Sequence, residues 1–159
     1  MILLNFATEI KGTSTVEKHK DWIAVDSMSF GVGRAIHSVS GGKDRETSNP
    51  SFSELTFTKS TDISSGDLFM QSICGKSLGK AQIHFIQTGG TEANGQHYLS
   101  IELTDAIVSS YSISSSGERP VETFSLNYTQ INFKYDAFDG TQIAAGTLKG
   151  WDLLKNQKI

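Results

Sequence analysis

Hydrophobic and polar residues alternate with period two along most of this chain. Trp22, Ile23 and Val25 lead into Met28, Phe30 and Val32, interleaved with Ser27, Ser29 and Gly31. Leu55 and Phe57 alternate with Thr56 and Thr58, and Ile83 and Phe85 with Gln82 and His84. Leu99, Ile101 and Leu103 alternate with Ser100 and Glu102, Phe124, Leu126 and Tyr128 with Ser125 and Asn127, and Ile131, Phe133 and Tyr135 with Asn132 and Lys134. Successive side chains of a strand point to opposite faces, so this pattern predicts eight or more strands, each with one apolar face.

Strands of that kind cover a core on one side only, as in an antiparallel sandwich or a closed barrel, and closure removes exposed edges. The expected fold is all-β with one short helix: a closed antiparallel β-barrel formed by a single domain over residues 1–159. The helix is predicted over residues 64–76. Ser64 or Ser65 would cap it, and Asp67 suits the positive end of its dipole. Leu68, Phe69 and Ile73 would share its buried face, and Gly75 would stop it in a left-handed conformation. Such a helix would plug one end or side of the barrel. Turns are predicted at Gly89–Gly90 with Asn94–Gly95, at residues 114–117 and at Asp139–Gly140. Residues 37–50 form the longest expected irregular stretch. Trp22 and Trp151 are expected in core or barrel-end packing.

Composition narrows the function. The 159 residues are 37% hydrophobic with a net charge of -3, which fits one folded domain and gives no basic excess for nucleic acid. The apolar start at residues 1–4 is ended by Asn5, Glu9 and Lys11, and no apolar run approaches the ~20 residues of a membrane span. The expectation is therefore no secretory leader, no membrane insertion, and export, if any, by a route that accepts a folded protein. Cys74 stands alone, so no intrachain disulfide forms, and it is expected to act as a small buried hydrophobe.

Candidate chemistry is sparse. His19, His37, His84 and His97 lack metal-ligand spacing; His84 and His97 fall on different strands and can meet across a sheet, but surface or partly buried histidines are the expectation. There is no Gly-x-Ser-x-Gly elbow. Gly31-Val32-Gly33 and Gly75-Lys76-Ser77 lack the glycines and following helix of nucleotide loops. Asp62, Asp105, Glu54 and Glu102 read as solvated carboxylates. No catalytic residue, metal or cofactor is expected, which favours a structural or binding role. A carbohydrate-binding sandwich and a hydrolase using Ser, His84 and Asp are the rivals from other classes.

Ordered blocks over nearly the whole chain decide among these. Gly12-Thr13-Ser14, His19 to Val25 and Ser29 to Val32 open the series. Phe52 to Lys59, Asp62 and Cys74-Gly75-Lys76 continue it. Val108 to Tyr111, Gly117 to Thr123, Ser125 to Tyr128, and Gly150 to Leu153 with Asn156 complete it. Together they resemble the haemolysin-coregulated protein (Hcp) family of type VI secretion tubes, whose fold is similar to phage tail-tube proteins. The resemblance implies a homo-hexameric ring that stacks on copies of itself, made in the bacterial cytoplasm and exported by the type VI machine with its sheath, spike and effector proteins. It implies no enzyme activity, and a lumen able to hold effectors. Trp22, Arg119, Pro120, Glu122 and Trp151 are its structural motif residues. Arg119 would pair with Glu118 or Glu122, or reach across the subunit seam. Lys43, Asp44, Arg45 and Glu46 are the candidate ring-stacking loop, and Ser27, Ser29 and Gly31 the candidate lumen residues. A tail-tube protein of another contractile injection machine is the near alternative.

Overall fold

The structure, a computed structural model, describes residues 1–38, 45–87, 96–138 and 143–159. The strands run in chain order as β1 (Ile2–Phe6), β2 (Ile23–Val25), β3 (Ser27–Ser29), β4 (Val32–Gly33), β5 (Ile36–Ser38), β6 (Arg45–Thr47), β7 (Ser51–Phe52) and β8 (Leu55–Ser60). After helix α1 (Ser65–Cys74) come β9 (Ala81–Ile86), β10 (His97–Thr104), β11 (Ile107–Ser114), β12 (Val121–Asn127) and β13 (Gln130–Tyr135). The chain finishes with β14 (Ala137–Phe138), β15 (Ile143–Ala144), β16 (Lys149–Asp152) and β17 (Gln157–Lys158). A 3-10 turn over Glu17–His19 interrupts the passage from β1 to β2. The mainly β fold with one helix is as the alternation predicts.

Two antiparallel sheets enclose the core. One has seven strands in the order β17-β16-β13-β10-β9-β1-β2, the other four in the order β11-β12-β8-β3. The chain passes between them once through α1, from β8 to β9, and directly at three corners. At Asp26, between β2 and β3, the amide donates to the Thr58 carbonyl at 2.7 Å. At Asp105 the backbone turns through a φ of 52°. At Thr129, between β12 and β13, the amide donates to the Thr104 carbonyl at 3.0 Å. Each sheet keeps edges of its own, so the described pairings do not run round as one closed ladder. Beside edge strand β11 lies α1, with Phe69 edge-on to Tyr111 at 6.0 Å.

Facing strands β8 and β12 show how the alternation builds the core. Phe124 pairs with Phe57 and Leu126 with Leu55, all four fully buried, and the two Phe rings stack at 5.1 Å. Leu4, Phe6, Ile23, Ile83, Ile101, Leu103 and Ile131 meet them from the seven-stranded sheet. Burying one such side chain stabilises the fold by about 1.5–3 kcal/mol.

Several local expectations are corrected. Of the proposed helix face only Leu68 is buried; Phe69 is 49% and Ile73 64% exposed. Neither serine side chain caps the helix: Ser64 has no side-chain cap bond, and Asp62 instead accepts from the Ser64 amide at 2.8 Å. Gly75 is extended, not left-handed, and is a glycine for want of space, since a Cβ there would lie 2.0 Å from the Gln71 carbonyl oxygen. Cys74 is exposed, not buried. As far as residues 38 and 45 the chain around the stretch expected to be irregular is a two-stranded arm, with β4 paired to β7 and β5 to β6. The turns at Gly89–Gly90, Asn94–Gly95 and Asp139–Gly140 lie outside the described residues. Among the described residues no helix is long and apolar enough to cross a membrane.

Candidate functional sites

Three features stand out on the scaffold. The first is an apolar hollow where the root of the two-stranded arm meets the end of the seven-stranded sheet. Phe30, Val32, Phe52, Phe133 and Trp151 line it, and its volume is about 290 Å³. Phe133 is 43% and Val32 56% exposed. Apolar surface gathered in one concave place marks a contact site more strongly than the same residues scattered. Trp151 also packs on the core from its rim, half-buried.

The second is a buried polar network at the foot of α1. Lys59 and Glu122 occupy core-facing positions opposite one another on β8 and β12, form an ion pair, and have no side-chain exposure. Lys59 Nζ also donates to Asp62 at 2.9 Å and to the Ser60 carbonyl at 3.0 Å. Glu122 accepts from Ser65 at 2.9 Å and from the Tyr111 hydroxyl. Burial, then the hydrogen bond to Glu122, pushes the Tyr111 phenol up. Two buried charges out of water are costly unless each is fully hydrogen-bonded, and here each has several partners. The network ties β8, β11, β12 and the first turn of α1 into one unit. Asp62 is part of it and is no solvated carboxylate.

The third is a histidine cluster on the outer face of the seven-stranded sheet. His84 of β9 stacks on His97 of β10 at 4.1 Å between centroids. A bulge in the β10–β9 register between His97 and Leu99 turns His97 onto the His84 face. His19, from the 3-10 turn, bonds through Nε2 to His84 Nδ1 at 2.8 Å, and Trp22 packs against both at 4.5 and 4.8 Å. His19 is buried, and its Nδ1 has no hydrogen-bond partner among the described residues. Burial lowers all three imidazoles, His84 to about 3, with mutual repulsion of His97 and His19 adding to it. Trp22 is thus outer-face packing, not core. His84 faces histidines, with no serine or aspartate bonded to it, so the hydrolase arrangement is not formed among the described residues.

Residues 4–135 match the family described as type VI secretion system effector, Hcp. The chain belongs to the Hcp family. Protein hcp1 of Pseudomonas aeruginosa is 33% identical over 107 residues, and the match spans 65% of each chain, a little under two thirds of that relative's length. A solved structure of a type six secretion system protein superposes with a TM-score of 0.88 at 27% identity, covering 99% of this chain and 98% of the other. Hcp1 from Salmonella typhimurium gives 0.77 at 25% identity, covering 99% and 97%. The anti-feeding prophage tube terminating cap shares the fold alone, at 12% identity and a TM-score of 0.55. Hcp proteins are structural secretion proteins, not enzymes.

The Hcp motif residues take distinct positions in this chain. Glu122 anchors the buried network. Arg119 pairs with neither Glu118 nor Glu122 among the described residues; its Nε donates to the Thr61 carbonyl at 3.0 Å, while the Thr61 amide donates to the Pro120 carbonyl at 3.1 Å. Ser27 and Ser29 lie exposed on edge strand β3, and Ser27 bonds to Thr58. The Gly31 amide donates to the Ser53 hydroxyl at 2.7 Å. Of the proposed stacking residues, Lys43 and Asp44 lie outside the described residues; Arg45 and Glu46 belong to β6, paired with Ser38 and His37. The meeting of His84 and His97 across the sheet was open from the sequence, whereas the Lys59 pairing and the arrival of His19 were not singled out. Lys59 shares the parity of Leu55 and Phe57, which was signal enough; His19 had none.

Proposed function

We propose that this chain is the repeating subunit of a type VI secretion inner tube, assembled as hexameric rings that stack and are exported together. The whole-length likeness to a type six secretion system protein carries this reading. The exposed hollow of Phe30, Val32, Phe52, Phe133 and Trp151 supports it as one half of the seam between neighbours, since a head-to-tail ring needs two different complementary surfaces. In the ring the two sheets act as the walls of a barrel, its ladder gaps covered by α1 and by the neighbour.

Ser27, Ser29 and Gly31 are proposed to face the lumen, where small polar groups suit transient contact with effector proteins. Lys43, Asp44, Arg45 and Glu46 are proposed to meet the next ring, because charges of both signs fit a complementary face. Sheath and spike proteins are the remaining partners. The subunit starts in the bacterial cytoplasm and leaves through the machine.

A secretion assay tests this. The protein is expected in the medium of cells with an active type VI machine and absent from it when the contractile sheath is deleted. Equal release from both strains contradicts the proposal.

A further inference from the structure

Three imidazoles from distant parts of the chain converge in a cluster that the tube reading does not use. His19 comes from the 3-10 turn, His84 from β9 and His97 from the bulged start of β10. One nitrogen from each lies within 4.8 Å of the others. An all-imidazole set matches the borderline divalent ions of the first transition row, and serves magnesium or calcium poorly because it offers no oxygen.

Two observations go beyond simple packing. His19 is buried with Nε2 turned into the cluster, and its Nδ1 has no partner among the described residues to fix which nitrogen carries the proton, so Nε2 can offer its lone pair. The segment carrying His19 is also held in place before any ligand arrives. The Gly12 amide donates to the Asp21 carbonyl at 2.7 Å, Asp21 to Ser14 at 2.9 Å, and Ser14 to Trp22 at 3.1 Å. Gly12 has no room for a side chain, since a Cβ would lie 2.3 Å from the Trp22 carbonyl oxygen. Ligands fixed by their own backbone lose little freedom on binding.

The environment also keeps the three rings neutral, with lone pairs to give. Lys18 and Lys134 face the cluster as cations and Asp136 as an anion beside His97. The 2.8 Å contact between His19 Nε2 and His84 Nδ1 is a hydrogen bond. Two nitrogens on a tetrahedral zinc ion sit about 3.3 Å apart, so coordination opens this contact slightly.

We propose that His19, His84 and His97 bind one divalent transition-metal ion, zinc foremost, with the fourth position left to water. The site is separate from the hollow and the arm, so the proposal stands or falls independently of the tube reading.

The test uses the untagged full-length protein, stripped with a chelator and titrated with zinc by calorimetry and with cobalt by visible absorption. One ion per chain is expected, with a tetrahedral cobalt spectrum. His19→Gln, His84→Gln and His97→Gln are each expected to weaken binding by about 100-fold or more, since losing even an outer partner of a ligand costs about 10–100-fold. Cys74→Ser, which removes the exposed thiol, is expected to bind as before. No binding by the unaltered protein overturns the proposal, as does binding that survives the histidine substitutions or is lost with Cys74. Should a histidine variant fail to fold, imidazole NMR of the unaltered protein decides: zinc must shift the resonances of His19, His84 and His97, and unshifted resonances overturn the site.

Discussion

Lys59 and Glu122 face each other across β8 and β12 with both side chains wholly inside the core, one pleat from the stacked Phe57 and Phe124. A charge pair in that place is conditional: it is tolerated because Asp62, Ser65, Tyr111 and the Ser60 carbonyl share the load. Glu122→Leu alone leaves an ammonium with one carboxylate fewer. The expected loss is about 3–5 kcal/mol in urea unfolding, and Lys59→Met with Glu122→Leu is expected to recover much of it. A single variant within about 0.5 kcal/mol of the parent, the range of ordinary surface changes, contradicts this view of the pair.

Gly12 sits where the returning chain leaves no space for a side chain. Gly12→Ala drives a Cβ into the Trp22 carbonyl and the Ile23 backbone. Overpacking of this kind costs about 1–3 kcal/mol. A lowered melting temperature together with altered Trp fluorescence is expected, because Trp22 moves with the segment. Unchanged stability and emission would show that the segment is not held as described.

Asp152 fixes the last turn of the chain. Its carboxylate accepts from the Leu154 and Lys155 amides and from Gln130, each at 2.9 Å. These bonds, the Lys155 amide first, hold its pKa below the ordinary 3.8. A depressed carboxylate contributes stability that is fully present above the unfolded value and is lost as pH falls through the folded one. Asp152→Asn is therefore expected to lower the urea midpoint at neutral pH, with the gap to the parent closing below pH 3.8. A gap that stays constant down to acid-induced unfolding contradicts the assignment.

Phe133 tests the proposed seam. It is 43% exposed in the isolated chain, so Phe133→Asp is expected to change monomer stability by about 0.5 kcal/mol or less while reducing assembly sharply. Sedimentation velocity reads the assembly and urea unfolding the monomer. Unaltered assembly places the seam elsewhere.

The sequence makes some of this legible and hides the rest for physical reasons. Alternation finds the strands and their inward faces because period two is a property of the pleat, as at Leu55, Phe57, Phe124 and Leu126. By the same parity Lys59 and Glu122 belong inside, but a rule that reads charge as surface passes over them. Closure of the ladder is a matter of how sheets meet at Asp26, Asp105 and Thr129, and no local pattern encodes it. His97 differs in parity from Ser100, the residue paired with His84, so only the bulge brings it onto that face. His19 arrives from a turn with no period at all. A metal search built on spacing along one element therefore sees none of the three.

Ring assembly is the measurement on which the account turns. Light scattering on the purified chain, with negative-stain images of the same sample, is expected to give six times the 17.3 kDa chain mass and annular particles. A single species of 17.3 kDa, persisting as concentration is raised and without rings in the images, would contradict the tube subunit.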